Sequence, residues 1–334
     1  MQLYGQVEQL SFTSEALRDN RLGDPHEREV TVYLPPAYDG ARTERYPSLY
    51  LLAAHGSTGA AFLNWKPWQP NTLQMLDAAI HAGEIPPVIL VMPDCWTKLG
   101  GSQYLDSAMG KYETYLVQEV VPFVDDHYRT RASRDHRGVL GFSSGGYGAL
   151  VQGMRNPQTF GALACHSGDI YWEFTCLPKL AELHQALQKY GGVASFLNNV
   201  NDIQPKNGPF WTTVMTLCWA MAHGTNPDSF LGFDLPIHLD SGALNRTVWQ
   251  RWLRFDPLRM AEQPGYLEAL RSLRLLFVDV GAADEYQLQV GARLLSQRLT
   301  AEGVQHLFEE HAGRHTSADV RFDRSVGLLA RALQ

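Results

Sequence analysis

The sequence predicts an α/β fold: a mostly parallel, doubly wound sheet interrupted by a helical insertion. Three observations lead there. Short β-rich runs alternate with amphipathic, helix-length segments across residues 29–168. The same rhythm returns near residue 274 and runs to the end of the chain. Between about 168 and 265 no strand–helix alternation is visible. The expected division is a core of residues 1–168 and 266–334, with residues 169–265 as a cap or lid over the sheet's carboxyl edge. The alternative for the middle stretch is a set of packing helices remote from any site.

Each element has its own signal. Glu29-Val30-Thr31-Val32-Tyr33-Leu34 is strand-like and stops at Pro35-Pro36. Ser48–Ala54 is nearly continuous in apolar residues, as central parallel strands are. A helix is expected from Thr72 to Ala82, a strand at Pro87–Met92 and a second helix at about 112–127. Val139-Leu140 opens a short buried strand. Beyond it, Tyr147, Leu150, Val151 and Met154 recur at i, i+3, i+4 and i+7, one buried helix face, and Asn156-Pro157 ends that helix. Ala162–His166 is a further strand. The insertion offers helices at Leu177–Lys189, Phe210–Ala222 and Asn245–Arg254. The closing rhythm is a strand at Arg274–Gly281, a helix at about Tyr286–Glu302, a strand at Val304–Glu309 and a helix from about Ser317 to Ala330.

Composition narrows the class of protein. The chain has 334 residues, 45% hydrophobic and 19% charged, enough for a sizeable core. A net charge of −7 argues against nucleic acid or an anionic membrane as the main partner. No apolar run approaches the roughly 20 residues of a membrane span. Met1–Gln6 lacks the basic cluster and apolar core of a signal peptide, so a cytoplasmic location is expected. Cys95, Cys165, Cys176 and Cys218 show no Cys-x-x-Cys pairing and read as buried thiols. A homodimer is left open.

The chemistry centres on Gly141-Phe142-Ser143-Ser144-Gly145. Between a strand and a helix this reads as a nucleophile elbow, a turn so tight that only small residues fit beside the serine. Ser143, with glycine at both minus two and plus two, is the nucleophile; Ser144 lacks that spacing. A serine hydroxyl needs a base, and the base needs a partner to hold its tautomer. Asp284 lies just beyond the strand ending at Gly281, and His315 beyond the last strand, both where a doubly wound sheet builds its site. The rivals are Asp279 or Glu285 for the acid and His311 for the base. His311 and His315 also read as a metal pair, but without a His-Glu-x-x-His frame no metal and no cofactor are expected. Two backbone N–H groups would stabilise the oxyanion: that of Ser144, following the nucleophile, and that of Ser57, in the loop after the central strand.

Together Val32–Tyr38, Tyr46-Pro47 through Gly56, Val91–Asp94, Tyr112-Glu113 with 119–128, and Gly141–Leu150 resemble the esterase D type "putative esterase" family of α/β-hydrolases, including its enterochelin esterase-like and feruloyl esterase-like members. The resemblance covers about residues 30–168 and 274–316 and leaves 169–265 unlit. It implies an α/β-hydrolase fold, a small-molecule ester substrate, the triad on Ser143, Asp284 and His315, and the oxyanion donors on Ser57 and Ser144. One departure stands out: family members often carry Gly-Gly-His at the base, where this chain has Arg314 before His315.

For the substrate pocket the expectations are Trp65 and Trp96 after the early loops, His166 and Tyr171 after the strand that follows the elbow, and Met215 and Trp219 on a dense apolar helix of the insertion. The leading function is a serine carboxylic ester hydrolase. The alternatives are an acyltransferase using the same three residues and a non-catalytic binding member of the fold.

Overall fold

The central strand Ser48–Leu52 (β3) carries five fully buried residues, Ser48-Leu49-Tyr50-Leu51-Leu52, and this burial on both faces sets the architecture. The computed structural model describes residues 3–38, 43–316 and 320–334. Eight strands form one sheet: β1 (Gln6–Thr13), β2 (Glu27–Leu34), β3, β4 (Ile89–Pro93), β5 (Arg137–Phe142), β6 (Ala162–His166), β7 (Leu275–Gly281) and β8 (Leu307–His311). Their spatial order is β1-β2-β4-β3-β5-β6-β7-β8. β2 runs antiparallel to both β1 and β4, and every later pairing is parallel. Tyr50 stands opposite Val91 on one side and Val139 on the other, so β3 lies at the heart of the sheet.

Helices cover both faces. Thr72–His81 (α1) starts with a capping box, in which the Asn71 side chain accepts from the Gln74 amide and the Gln74 side chain reaches back. Ser144–Arg155 (α2) follows the elbow and stops at Asn156. The stretch expected as one helix at 112–127 is α-helical at both ends, with six residues of π-helix between, Tyr115–Val120. Leu288–Ala301 and Phe322–Ala332 close the layers. The expected start of the last helix, at Ser317, lies outside the described residues. β1 was not expected: its polar residues pair only with β2 on the sheet's edge and mostly face solvent, so it lacks an apolar signature.

Within residues 169–265 helices lie at Lys179–Lys189, Gly208–His223 and Arg246–Trp252, near the three expected there, while 224–245 carries none. Lys179–Lys189 packs against Gly208–His223 (α3), the long apolar helix. The last part, Pro257–Met260, instead packs on α2 and on Leu288–Ala301. Buried side chains of this stretch, among them Leu183, Phe196, Phe210 and Leu217, are continuous with a core cluster that also holds Tyr147 and Leu150 of α2.

The elbow is the tightest junction. Ser143 adopts φ 57° and ψ −121°, in the region that side chains other than glycine rarely take. A Cβ on Gly145 would lie 2.0 Å from the Leu52 carbonyl oxygen, and one on Gly141 would lie 2.4 Å from Gly145. Both contacts are to backbone, which cannot step aside. We therefore expect Gly145→Ala to cost about 1–3 kcal/mol or more in urea unfolding. Gly265→Ala, in open space within a helix, should be neutral or slightly stabilising. Equal stabilities for the two variants would contradict this packing.

Candidate active site

The turn at Ser143 lifts its side chain above the carboxyl ends of the parallel strands, where two later loops meet it. His315 Nε2 lies 3.0 Å from Ser143 Oγ, and His315 Nδ1 lies 2.7 Å from Asp284 Oδ2. Asp284 is buried, and its other oxygen accepts from the Tyr286 amide at 2.9 Å. The His315 ring sits beside two aromatic rings, Phe142 at 4.7 Å and Tyr286 at 4.8 Å between centroids. Packing and hydrogen bonding thus fix the imidazole with one nitrogen toward the serine and the other toward the acid.

The rivals go elsewhere. Asp279 lies inside β7 and faces the opposite side of the sheet, where Oδ1 meets His166 Nδ1 at 2.5 Å and Oδ2 accepts from Arg321 at 2.8 Å. Burial raises the cost of ionising Asp279, but His166 and Arg321 outweigh it and hold the carboxyl below its ordinary range. Glu285 binds the loop instead of the imidazole: its carboxylate accepts the His315 backbone N–H at 2.8 Å and pairs with Arg314 at 2.5 Å. The Arg314 side chain is about two-thirds exposed, so it stays on the rim. His311 Nδ1 accepts the Gly313 amide at 3.1 Å, within the same loop. Among the described residues no group of His, Cys, Asp and Glu side chains is arranged to hold a metal ion.

Ser144 is the first residue of α2, where a helix leaves its N–H groups without partners inside the helix. Ser57 is placed less favourably. Its N–H closes a turn onto Ala54 O at 3.1 Å, and its side chain borders a second cavity of about 480 Å³. The Gly56 amide donates to Gly100 O at 2.6 Å. The His55 ring nitrogens are buried without partners among the described residues, and burial pushes the His55 pKa down to about 4, so the ring is neutral.

A cavity of about 950 Å³ opens over Ser143 and His315. Its walls include Ala54 and His55 from the loop after β3, Phe142 at the end of β5, and Asp169, Phe174, Trp211, Met215 and Trp219 from residues 169–265. Met215 and Trp219 were expected there. Four other expectations fail. His166 is buried on the far face of the sheet, with Nε2 2.8 Å from Ser325 Oγ, because strand alternation puts residues 162, 164 and 166 on one side and the cavity lies toward the other. Trp65 is 74% exposed and does not line the cavity. Trp96 is half-buried away from it, its carbonyl accepting from Arg28. Tyr171 stands behind the wall: its N–H donates to Asp256, and its ring stacks on Phe174, which does line the cavity. Phe174, Tyr286 and Asp169 had no periodic signal; for Asp169 the hint was its place just past the end of β6.

The family profile described as "Putative esterase" matches residues 24–324. The chain belongs to the putative esterase family. An endo-1,4-beta-xylanase/feruloyl esterase of Xylanibacter ruminicola is 30% identical over half of this chain and 22% of its own length. An esterase of Mycobacterium tuberculosis is 33% identical over 49% of this chain and 34% of its own length. The chain thus spans about a fifth to a third of these curated relatives. A ferulic acid esterase structure is similar over the whole of both chains, with a TM-score of 0.63 at 21% identity. An S-formylglutathione hydrolase of Agrobacterium tumefaciens gives 0.62 at 16% identity, over 100% of this chain and 98% of that one. At such identities the likeness establishes the fold, which is that of the α/β-hydrolases. Among the described residues no helix is long and apolar enough to cross a membrane.

The Asp279 network gives a test independent of chemistry. Asp279→Asn leaves Arg321 and His166 facing a weaker partner in a buried site and should cost about 3 kcal/mol in urea unfolding. Because the folded carboxyl is held below its ordinary range, its contribution is complete above about pH 4, the range of an unfolded aspartate, and is lost only as pH falls through the lower folded value. A variant as stable as the parent at pH 7 would contradict this assignment.

Proposed function

We propose that this protein is a serine carboxylic ester hydrolase acting through an acyl-enzyme, with Ser143, His315 and Asp284 as its triad. What carries the reading is the unbroken chain Asp284–His315–Ser143, at 2.7 Å and 3.0 Å, at the base of a large cavity. His315 Nε2 takes the Ser143 proton as Oγ bonds to the ester carbonyl carbon. The same nitrogen then gives that proton to the departing alcohol as the C–O ester bond breaks. Water repeats the sequence and releases the acid. Asp284 holds the Nδ1 proton and offsets the charge that His315 gains. Ser144 N–H is the first donor to the oxyanion; Ser57 N–H, already bonded to Ala54 O, would serve only as a shared donor.

The residues 169–265 form, in this reading, the cap that shapes the ester-binding cavity, through Phe174, Trp211, Met215 and Trp219. The substrate is a small-molecule ester, a class consistent with the esterase names of the relatives.

An aryl acetate assay tests the assignment. Ser143→Ala and His315→Ala should each lower kcat by roughly a thousandfold or more, and Asp284→Asn by up to about ten-thousandfold. Turnover retained in Ser143→Ala would overturn the proposal. Glu285 acts on His315 only through the loop backbone. Glu285→Ala should therefore reduce kcat several-fold with little change in KM, and Glu285→Gln, which still offers an oxygen to the His315 amide, should recover most of it.

A further inference from the structure

Four charged side chains, Asp169, Glu173, Lys179 and Glu285, line the main cavity beside the two imidazoles. Three have a partner of opposite charge: Glu173 with Arg259 at 2.9 Å, Lys179 with Glu182 at 2.9 Å and Glu285 with Arg314 at 2.5 Å. Asp169 differs. Among the described residues its carboxylate meets only neutral donors, the Thr175 hydroxyl at 2.7 Å and the Cys176 thiol at 3.5 Å. Asp169 is half-buried, and burial pushes its pKa up to about 6 in spite of those bonds, with the Asp256 carboxylate adding to the rise and His315 opposing it. A half-buried carboxylate on a cavity wall with no ion-pair partner among the described residues leaves room for a ligand cation to supply one.

The rest of the wall suits the same kind of ligand. Phe174, Trp211, Trp219 and Tyr286 present aromatic rings to this cavity. Phe174, Trp211 and Tyr286 are 45%, 47% and 54% exposed, which leaves ring surface free for a guest. Aromatic faces attract ammonium groups through the ring quadrupole, most strongly when the cation is desolvated. The net charge of −7 adds a field that favours cations over anions on approach.

We propose that Asp169 and the aromatic rings of this cavity form a subsite for an ammonium group, so that the preferred esters carry a positive charge. The inference rests on the ester hydrolase reading for turnover, but the binding of a cation does not. The charge belongs either to the acyl group or to the alcohol, and matched ester pairs separate the two. For the acyl side the pair is the aryl ester of 4-(trimethylammonio)butyrate and its carbon isostere, the 5,5-dimethylhexanoate. For the alcohol side it is acetylcholine and 3,3-dimethylbutyl acetate.

In one of these pairs the cationic ester should have a kcat/KM roughly tenfold or more above its neutral twin. Asp169→Asn keeps the shape and the Thr175 hydrogen bond but removes the charge, and should bring that ratio close to one. Trp211→Leu, on a half-exposed ring, should reduce it several-fold. Because the ratio is read within each variant, a general loss of activity cancels. Separately, tetramethylammonium should quench the fluorescence of the cavity tryptophans in the parent and not in Asp169→Asn, and tert-butanol should have no effect. If neutral aryl acetates turn over but neither pair favours the cation and tetramethylammonium does not bind, the subsite is wrong. If tetramethylammonium binds in an Asp169-dependent way while no ester is hydrolysed, the subsite stands and the hydrolase reading falls. A preference that survives both substitutions also overturns the proposal.

Discussion

The strained backbone of Ser143 is the constraint on which the site depends. A residue with a side chain at φ 57° persists only where its surroundings over-determine it. Here they do so through backbone contacts: Gly145 against the Leu52 carbonyl, Gly141 against Gly145, and Gly146 against the His166 carbonyl. The Ser143 amide also donates to His166 O at 2.9 Å. Three neighbouring strands, β3, β5 and β6, therefore clamp one turn. The serine is presented by the most buried part of the sheet, and α2 begins at the next residue.

The partners of Ser143 are held by weaker means, which divides the labour. Asp284 is fixed by burial and by the Tyr286 amide, whereas His315 rides on a loop whose backbone is tied to Glu285. Arg314, the departure from the Gly-Gly-His pattern, is accommodated because its guanidinium turns outward to the same Glu285. A position that departs from the pattern of the resemblance thus becomes part of the tether of the histidine loop.

Much of this was legible in the sequence, and the failures have physical causes. The buried parallel strands, the elbow and the helix after it announce themselves because burial on both faces forces continuous apolar runs and tight turns force glycine. Asp284 and His315 follow from their position past strand ends. His166 closes β6 in the same parity as Ala162 and Ala164, so its side chain turns away from the cavity; one residue's shift carries a side chain to the opposite face. β1, an edge strand with a polar pattern, carried no apolar signal. Trp65, Trp96 and Tyr171 show that proximity in sequence to a loop at the sheet's carboxyl edge does not decide where a large ring packs. The cavity wall is built largely by 169–265, where helices cross the site without a repeating pattern, so Phe174 and Asp169 emerge only in three dimensions.

The proposed chemistry requires Ser143 to be an activated nucleophile. Its most direct test is labelling of the folded protein with a fluorophosphonate probe, followed by mapping of the modified peptide by mass spectrometry. Close to one label per chain is expected, on Ser143, abolished by unfolding and strongly slowed by His315→Ala. Failure of the folded protein to label, or a label that maps to another serine, would contradict it.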